Sequence, residues 1–373
     1  MIIHFSIFGV ILLCALAWEP SMRYNKLYCI FHNKRYDYKS YIFPWLIAFG
    51  YIAFLAAMRS AMNDTSAYIR SFNGISGTWR EIHEIMIGDG KDKAFDIMAN
   101  LFKMFVSDDY HMWFAFFAAI ESAIFIYVLR RESVSFFDSC FFFFTTTLYY
   151  NYFSMMRQWF AVLLLFAGSR LIKNKKTVAY IVLCIFVAQF HESAYLFIPI
   201  YFIVQGKAWS PKQNMILGAT VICLIFLNPL LSALQTALEG TTYDYAIDAM
   251  TSNAGSSGIR ALIAAVPVVI AFMDRDKISA ENKMINVCIN MSVLNFLLNL
   301  LATFTSGLYI IRLATYTNVY NIILYPYLLN VTVSSYNRKI IKVCFYVIYL
   351  LFYYYQMTYQ GAWGYYSNIL GDF

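Results

Sequence analysis

Arg157, Arg260 and Arg312 each stand at the end of a long apolar run. When the runs are threaded through a membrane, as argued below, all three ends fall on one side, at the level of Arg59, His191 and Glu192. A guanidinium stays charged and offers a planar fork that forms two parallel hydrogen bonds to phosphate. Several of them at one depth form an anion-binding floor, suited to a lipid that carries its phosphates at the membrane surface and its tail in the hydrocarbon. Polyprenyl phosphates and diphosphates have that shape. Where the diphosphate is a leaving group, the same arginines stabilise the charge that grows as its bond breaks, and the chemistry needs no metal. An imidazole, which ordinarily titrates near neutrality, suits His191 as a general base toward a sugar hydroxyl, with Glu192 or Asp64 to orient it or to serve instead. Each residue also has a plainer use. A helix-end arginine can snorkel its head into the interface, and a histidine at a turn can cap or pack.

The elements that must position these groups follow from composition. The chain is 61% hydrophobic and only 13% charged, against about 25% charged for an average soluble domain, so it reads as an all-α polytopic integral membrane protein. Roughly 20 apolar residues span a bilayer core. Spans are expected near 2–18, 41–58, 111–129, 134–153, 156–170, 177–190, 192–205, 214–231, 259–273, 284–303, 311–331 and 343–357. The first has no basic residue ahead of it, unlike a cleaved signal, and reads as a retained anchor. The net charge of +7 reports orientation, because cytoplasmic loops collect Lys and Arg. The loop 19–40 and the clusters at 174–176, 274–277 and 337–339 are basic and read as cytoplasmic.

Residues 177–205 decide the topology. One helix over that range would be about 43 Å long, too long for a core of about 30 Å, and a single crossing would turn the later basic clusters outward. A short helical hairpin with His191 and Glu192 at its outer tip keeps them inside and leaves both termini outside. The chain then reads as one transmembrane domain, 1–373, with an outer loop at 59–110 and a second at 232–258. The outer segment 59–110 is mixed in sign and partly helical, and 94–106 has the length and period of an interfacial helix. The loop 232–258 is acidic, then rich in Ser and Gly, and suits either a flap or a connector.

Further signals lie on helix faces. Arg312, Thr315, Tyr316, Val319 and Tyr320 share one face, as do Ser292, Asn295 and Asn299. Tyrosines beside an arginine fit a sugar-and-phosphate groove and fit an aromatic belt equally. The asparagines read first as interhelical hydrogen-bonding groups. Glu121 sits mid-span, where a carboxylate must be protonated, paired or wet. Cys14, Cys29, Cys140, Cys184, Cys223, Cys288 and Cys344 show no metal-ligand spacing and read as small apolar fillers.

Four blocks carry a resemblance: "RSAMNDTSAYIRSFN" (59–73), "NYFSMMRQWFAVLLLFAGSRLIKNKK" (151–176), "FVAQFHESAYLFIPIYFI" (186–203) and "YIIRLATYTNVYNIILYP" (309–326). In that order and separation the chain resembles the EpsG-like branch of the Wzy-type bacterial polysaccharide (O-antigen) polymerases. The resemblance implies a GT-C-like arrangement of about 11–12 transmembrane helices in the bacterial inner membrane. It implies a metal-independent, cofactor-free glycosyltransferase whose active site faces the periplasm. The enzyme would move a growing glycan from undecaprenyl diphosphate onto the next undecaprenyl-diphosphate-linked repeat unit and release undecaprenyl diphosphate. Implied partners are the lipid-linked donor and acceptor, membrane lipids and a chain-length regulator protein, with no nucleic acid.

Carried over block by block, the resemblance points to Arg59, Asp64, Tyr68, Arg157, His191, Arg312 and Tyr316. Together with the helix-face and span-end readings, His191, Arg157, Arg312 and Arg59 are the expected catalytic residues, with Asp64, Tyr68, Gln158, Glu192, Arg260, Tyr316 and Tyr320 as substrate-binding. Replacing Arg157 or Arg312 by alanine is then expected to abolish polymer and leave the protein in the membrane. Two departures weaken the transfer to Asp64 and Asp96. Met62 and Asn63 stand where the family often has Gly before the aspartate, and "KAFDIM" replaces an acidic Pro/Gly segment. A flippase or transporter for the same lipid, an O-antigen ligase and a non-enzymatic assembly partner are the rival readings. A transporter should show its cations and aromatics at the midplane or in pseudo-symmetric halves with broken helices, and the sequence shows no internal repeat.

Overall fold

The computed structural model describes residues 2–31, 41–226, 255–278, 282–305, 307–333, 336–359 and 364–372, with positions 236 and 361. Helices at Ile2–Tyr24, Tyr110–Glu132, Lys283–Phe304 and Arg338–Tyr359 are each long and apolar enough to cross a membrane, and shorter apolar helices pack among them. The chain is an all-α multi-pass membrane protein.

The 177–205 segment folds back on itself. Thr177 Oγ1 lies 2.8 Å from the Tyr201 hydroxyl, and Tyr180 stacks on Tyr201 with ring centroids 5.0 Å apart. The two arms, Thr177–Ala188 and Glu192–Val204, therefore meet at their base, and the turn falls at Gln189–His191. One face of the first arm, Val178, Val182, Ile185 and Phe186, is exposed, as a lipid-facing stripe should be.

Other boundaries move. The first helix does not stop at 18 but continues to Phe31, through Pro20. The polar residues on its extension find partners inside the bundle, so the helix has no reason to end. Glu19 accepts from Ser135 Oγ at 2.5 Å and from the Phe137 N–H at 2.9 Å, and Lys26 Nζ donates to the Arg131 carbonyl at 2.7 Å. The rest of that basic loop, 32–40, lies outside the described residues. So does most of the loop 232–258, of which only 236 and 255–258 are described.

The expected spans 134–153 and 311–331 are each broken. The helix Phe136–Thr145 ends after ten residues, Thr147 turns left-handed with φ 60°, a 3-10 turn occupies Leu148–Tyr152, and helix resumes at Met156. The hydroxyls of Thr145 and Thr146 bond back to the carbonyls of Phe141 and Phe142 at 2.9 and 2.5 Å, a substitute for onward helical bonding that bends helices. The second segment divides into Gly307–Asn318 and Asn321–Tyr327, which contains Pro326, followed by a π turn at Leu328–Thr332. Irregular backbone at membrane depth persists only where protein buries it or a cavity hydrates it. The break at 145–155 is of the second kind.

Three helices, Thr65–Gly74, Trp79–Ile87 and Lys93–Phe105, build the segment after Arg59. Thr78 caps the second by accepting from the Glu81 N–H at 3.3 Å. Glu81 in turn accepts from Ser76 N at 2.7 Å and from Asn100 Nδ2 at 2.7 Å, which ties the second helix to the third. The third buries Phe95, Ala99 and Phe102, which join Phe72, Trp113 and Phe117 in a separate aromatic cluster. The C-terminal strands Tyr366–Ser367 and Gly371–Asp372 pair with each other and fasten to the same end of the bundle. There Ser60 N donates to the Tyr366 carbonyl at 2.8 Å and Tyr366 N to the Ala61 carbonyl at 3.1 Å.

Candidate functional site

The break at 145–155 opens onto a cavity of about 840 Å³ inside the bundle, within the roughly 300–1,000 Å³ of small-molecule sites. Its mouth carries Asn63 and Asp64 from the segment after Arg59, with Gly255–Ser257 opposite, and its depth reaches Thr146, Asn295 and Tyr325. Asn295 stands near the middle of the Lys283–Phe304 helix, so the chamber descends to about half the depth of the bundle. The loop 255–257 is pressed against the start of the Gly307–Asn318 helix. A Cβ on Gly307 would come within 2.8 Å of Ser256 N, and one on Gly255 within 2.6 Å of the Thr303 carbonyl, so both close approaches require glycine. Thr147, on the chamber wall, is β-branched and left-handed, a combination rare outside functional sites and costing about 1–3 kcal/mol.

Two arginines line this chamber, Arg260 and Arg312. Among the described residues neither has a carboxylate within 4.0 Å. Arg260 is steered by Gln356, whose Oε1 accepts from its Nη2 at 2.6 Å, while its buried Nε finds no partner among the described residues. The Arg312 backbone is fixed by Gln158, whose Nε2 donates to the Arg312 carbonyl at 2.7 Å. Gln158 thus positions the helix that carries Arg312. Asn295 and Asn299 both line the chamber and hydrogen-bond, Asn295 Nδ2 to the Ala314 carbonyl at 3.0 Å and Asn299 Nδ2 to the Asn295 carbonyl at 2.8 Å.

Arg157 and His191 come together elsewhere, around two carboxylates at the start of the Lys93–Phe105 helix. Arg157 Nη2 reaches Asp96 Oδ1 at 2.8 Å and Nη1 reaches Asp92 Oδ2 at 3.6 Å, with its guanidinium 4.5 Å above the Phe95 ring. His191 Nδ1 is 3.5 Å from Asp92 Oδ2. The Glu192 N–H donates to Asp92 Oδ1 at 3.2 Å, and the Glu192 carboxylate pairs with Lys91 at 3.3 Å. Neither Arg157 nor His191 is on the chamber wall. Tyr316 adjoins the hairpin tip, its hydroxyl 2.9 Å from Ser193 Oγ, and Tyr68 is near enough to Arg157 to interact with its charge.

Burial pushes both carboxyls of this cluster up. For Asp92 the His191 hydrogen bond and charge, the Arg157 charge and the Glu192 N–H outweigh burial and hold the group below its ordinary value. Asp96 has only Arg157 to offset burial and the neighbouring Asp92 charge, and it stays above. The depressed Asp92 contributes docking stability that is present above the ordinary aspartate pKa of about 3.9 and is lost as pH falls through its folded value. The raised Asp96 acts in the opposite sense, its contribution fading as pH rises through its own. At pH 7, Asp92→Asn is therefore expected to accelerate amide exchange across 92–105 by about 10- to 150-fold, since a hydrogen bond to a charged group contributes about 1.5–3 kcal/mol. Asp96→Asn should have the smaller effect, and equal protection in the two variants would refute the assignment.

The remaining expected site residues are buried away from the chamber. Arg59 is 1% exposed. Its Nε donates to Thr65 Oγ1 at 3.2 Å, its Nη1 to the Ala56 carbonyl, and its guanidinium lies 4.0 Å from the centroid of the Phe114 ring. Glu121, whose partner the sequence did not supply, interacts electrostatically with Arg59. Tyr320 packs against Phe166 with centroids 5.1 Å apart. The single floor expected from the sequence is thus two adjacent arrangements and one buried arginine. Sequence reasoning passed over Thr146, Thr147, Tyr150 and Gln356 on the chamber wall. The available signal was "FFFFTTT", four bulky apolar residues followed at once by three that compete for backbone.

The fold and the chamber together define a multi-pass membrane protein with a polar, arginine-lined cavity opening at one end of its bundle. The EpsG family model matches residues 42–369, and the chain belongs to the EpsG family. Membership is consistent with a membrane protein of the polysaccharide-polymerase type. No curated protein and no solved structure matches the chain.

Proposed function

We propose that the chain is a membrane-embedded glycosyltransferase of the bacterial inner membrane that polymerises undecaprenyl-diphosphate-linked repeat units at its periplasmic side. The observation that carries this reading is the chamber itself, with Arg260 and Arg312 on its wall and no carboxylate paired to either among the described residues. Unpaired guanidiniums in a polar cavity favour a multivalent anion, and a diphosphate is one that a lipid brings to this depth. What supports the orientation is the sequence, whose basic clusters fall in the loops expected to be cytoplasmic.

In the proposed step a hydroxyl oxygen of the acceptor sugar attacks C1 of the donor sugar. The new C–O bond forms as the bond from C1 to the diphosphate oxygen breaks, and the leaving diphosphate takes the electron pair, stabilised by Arg260 and Arg312. The hydroxyl proton passes to Asp64. Of the three candidate bases it alone is on the chamber wall, whereas His191 and Glu192 are engaged by Asp92 and Lys91. Arg157 and His191 form a second anion-binding pair at the rim, reached when a diphosphate displaces Asp92 and Asp96.

The test is reconstitution of the purified protein with a lipid-linked repeat unit, read as a ladder of products and released undecaprenyl diphosphate. Asp64→Asn is expected to slow the ladder about 10²–10⁴-fold, the usual range for a general base. A wild-type ladder from Asp64→Asn would move that role to His191. Wild-type protein that moves the lipid across the bilayer and joins nothing would make it a flippase.

A further inference from the structure

Beside the chamber lies a second cavity of about 470 Å³, floored by the start of the Thr65–Gly74 helix and walled by the C-terminal hairpin. Asn63 and Tyr150 line both cavities. Asn63 interacts with the Tyr150 hydroxyl and is left-handed, with φ 44°, so these two residues form the partition. The two spaces differ in charge. The chamber has Arg260, Arg312 and Asp64 on its wall, whereas among the described residues the smaller cavity is lined by no acid or base beyond tyrosine phenols.

What the smaller cavity offers is aromatic rings, an amide, a hydroxyl and open backbone. Tyr150, Tyr365 and Tyr366 supply the rings, Asn63 and Ser66 the polar groups, and nothing lies within 4 Å of the positions where Gly361 and Gly364 would carry a Cβ. Among the described residues a phosphate finds no cation to neutralise it on such a surface. A neutral pyranose suits it, because its C–H face packs on an aromatic ring while its hydroxyls bond to amides, hydroxyls and exposed backbone. The wall is also preformed, which lowers the cost of binding. The Tyr365 hydroxyl donates to the Leu55 carbonyl at 2.8 Å, and Asn368 Oδ1 is 2.9 Å from His111 Nε2. The Tyr366 backbone is paired to Ser60 and Ala61, yet the residue remains 44% exposed.

We propose that this cavity is a neutral-saccharide subsite, taking sugars of one substrate while the arginine-lined chamber takes the diphosphate end of the other. The inference rests on the polymerase reading above and assigns the C-terminal hairpin a part in it.

The test uses the full chain in detergent and two probes: the producing strain's repeat-unit oligosaccharide, freed of its lipid diphosphate by mild acid, and farnesyl diphosphate. Tyr366→Ala is expected to weaken oligosaccharide binding at least tenfold and leave farnesyl diphosphate affinity unchanged, while Tyr366→Trp retains both. Ser66→Trp, which fills the cavity from the opposite wall without altering the hairpin, should also weaken the oligosaccharide. Wild-type oligosaccharide affinity in either Tyr366→Ala or Ser66→Trp overturns the subsite. Failure of wild-type protein to bind farnesyl diphosphate counts instead against the polymerase reading, and the oligosaccharide measurement still stands by itself.

Discussion

Arg312→Ala is expected to cut polymer formation by about 10²–10³-fold, the usual effect of deleting one donor that stabilises developing negative charge, without lowering the amount of protein in the membrane. The two halves of that expectation have separate causes. The guanidinium is on the chamber wall, where on the proposed reading a leaving diphosphate would meet it, and no carboxylate among the described residues is left unpaired by its removal. The helix beneath is held through main chain, by the Gln158 bond to the Arg312 carbonyl at 2.7 Å, and alanine keeps that carbonyl. Lysine should rescue poorly, since a point charge cannot reproduce the bidentate fork. The checks are a glycan ladder from the variant strain and an immunoblot of its membranes. A full-length ladder from Arg312→Ala would remove the chamber's main claim to be the site.

Arg59→Met is expected to fail in the opposite manner, by losing the fold. This side chain is enclosed by Phe114, Thr65, Ala56 and Met156 and interacts electrostatically with Glu121. Glu121 is itself buried, and its Oε1 has no hydrogen-bond partner among the described residues. Removing the guanidinium deletes its buried hydrogen bonds to Thr65 and to the Ala56 carbonyl and leaves those partners unsatisfied, which typically costs about 1–3 kcal/mol. Thermal unfolding in detergent should register that loss. A variant of wild-type stability that makes no polymer would return Arg59 to the catalytic set.

These two residues show what the sequence could and could not say. Both are arginines at the end of an apolar run, and at the level of residue type and spacing they are equivalent. What separates them is the identity of the groups that face them, Phe114 and Met156 for one, an open chamber for the other, and those groups come from distant parts of the chain. The hairpin at 177–205 was legible because helix rise and bilayer thickness are fixed lengths and the basic loops allowed only one way to thread it. The broken helices were not, because hydropathy sees an unbroken apolar run whether its threonines bond onward or back to the preceding turn. The carboxylates of Asp92 and Asp96 were hidden for a third reason. In a mixed-sign segment any acid can be solvated, and only the fold brings these two to Arg157.

The hairpin has one more consequence. Its arms are short, about 18 Å for Thr177–Ala188 at 1.5 Å per residue, and about 22 Å for Glu192–Val204 with its opening 3-10 turn, against a hydrocarbon slab of about 30 Å. Lipids beside the exposed face of Val178, Val182 and Ile185 must compress to match it, a mismatch a bilayer meets by local thinning. Headgroups there sink toward His191, so on the proposed reading a polyprenyl diphosphate drifting along this flank would arrive with its phosphates already lowered to the rim and with less water to shed before it turned inward.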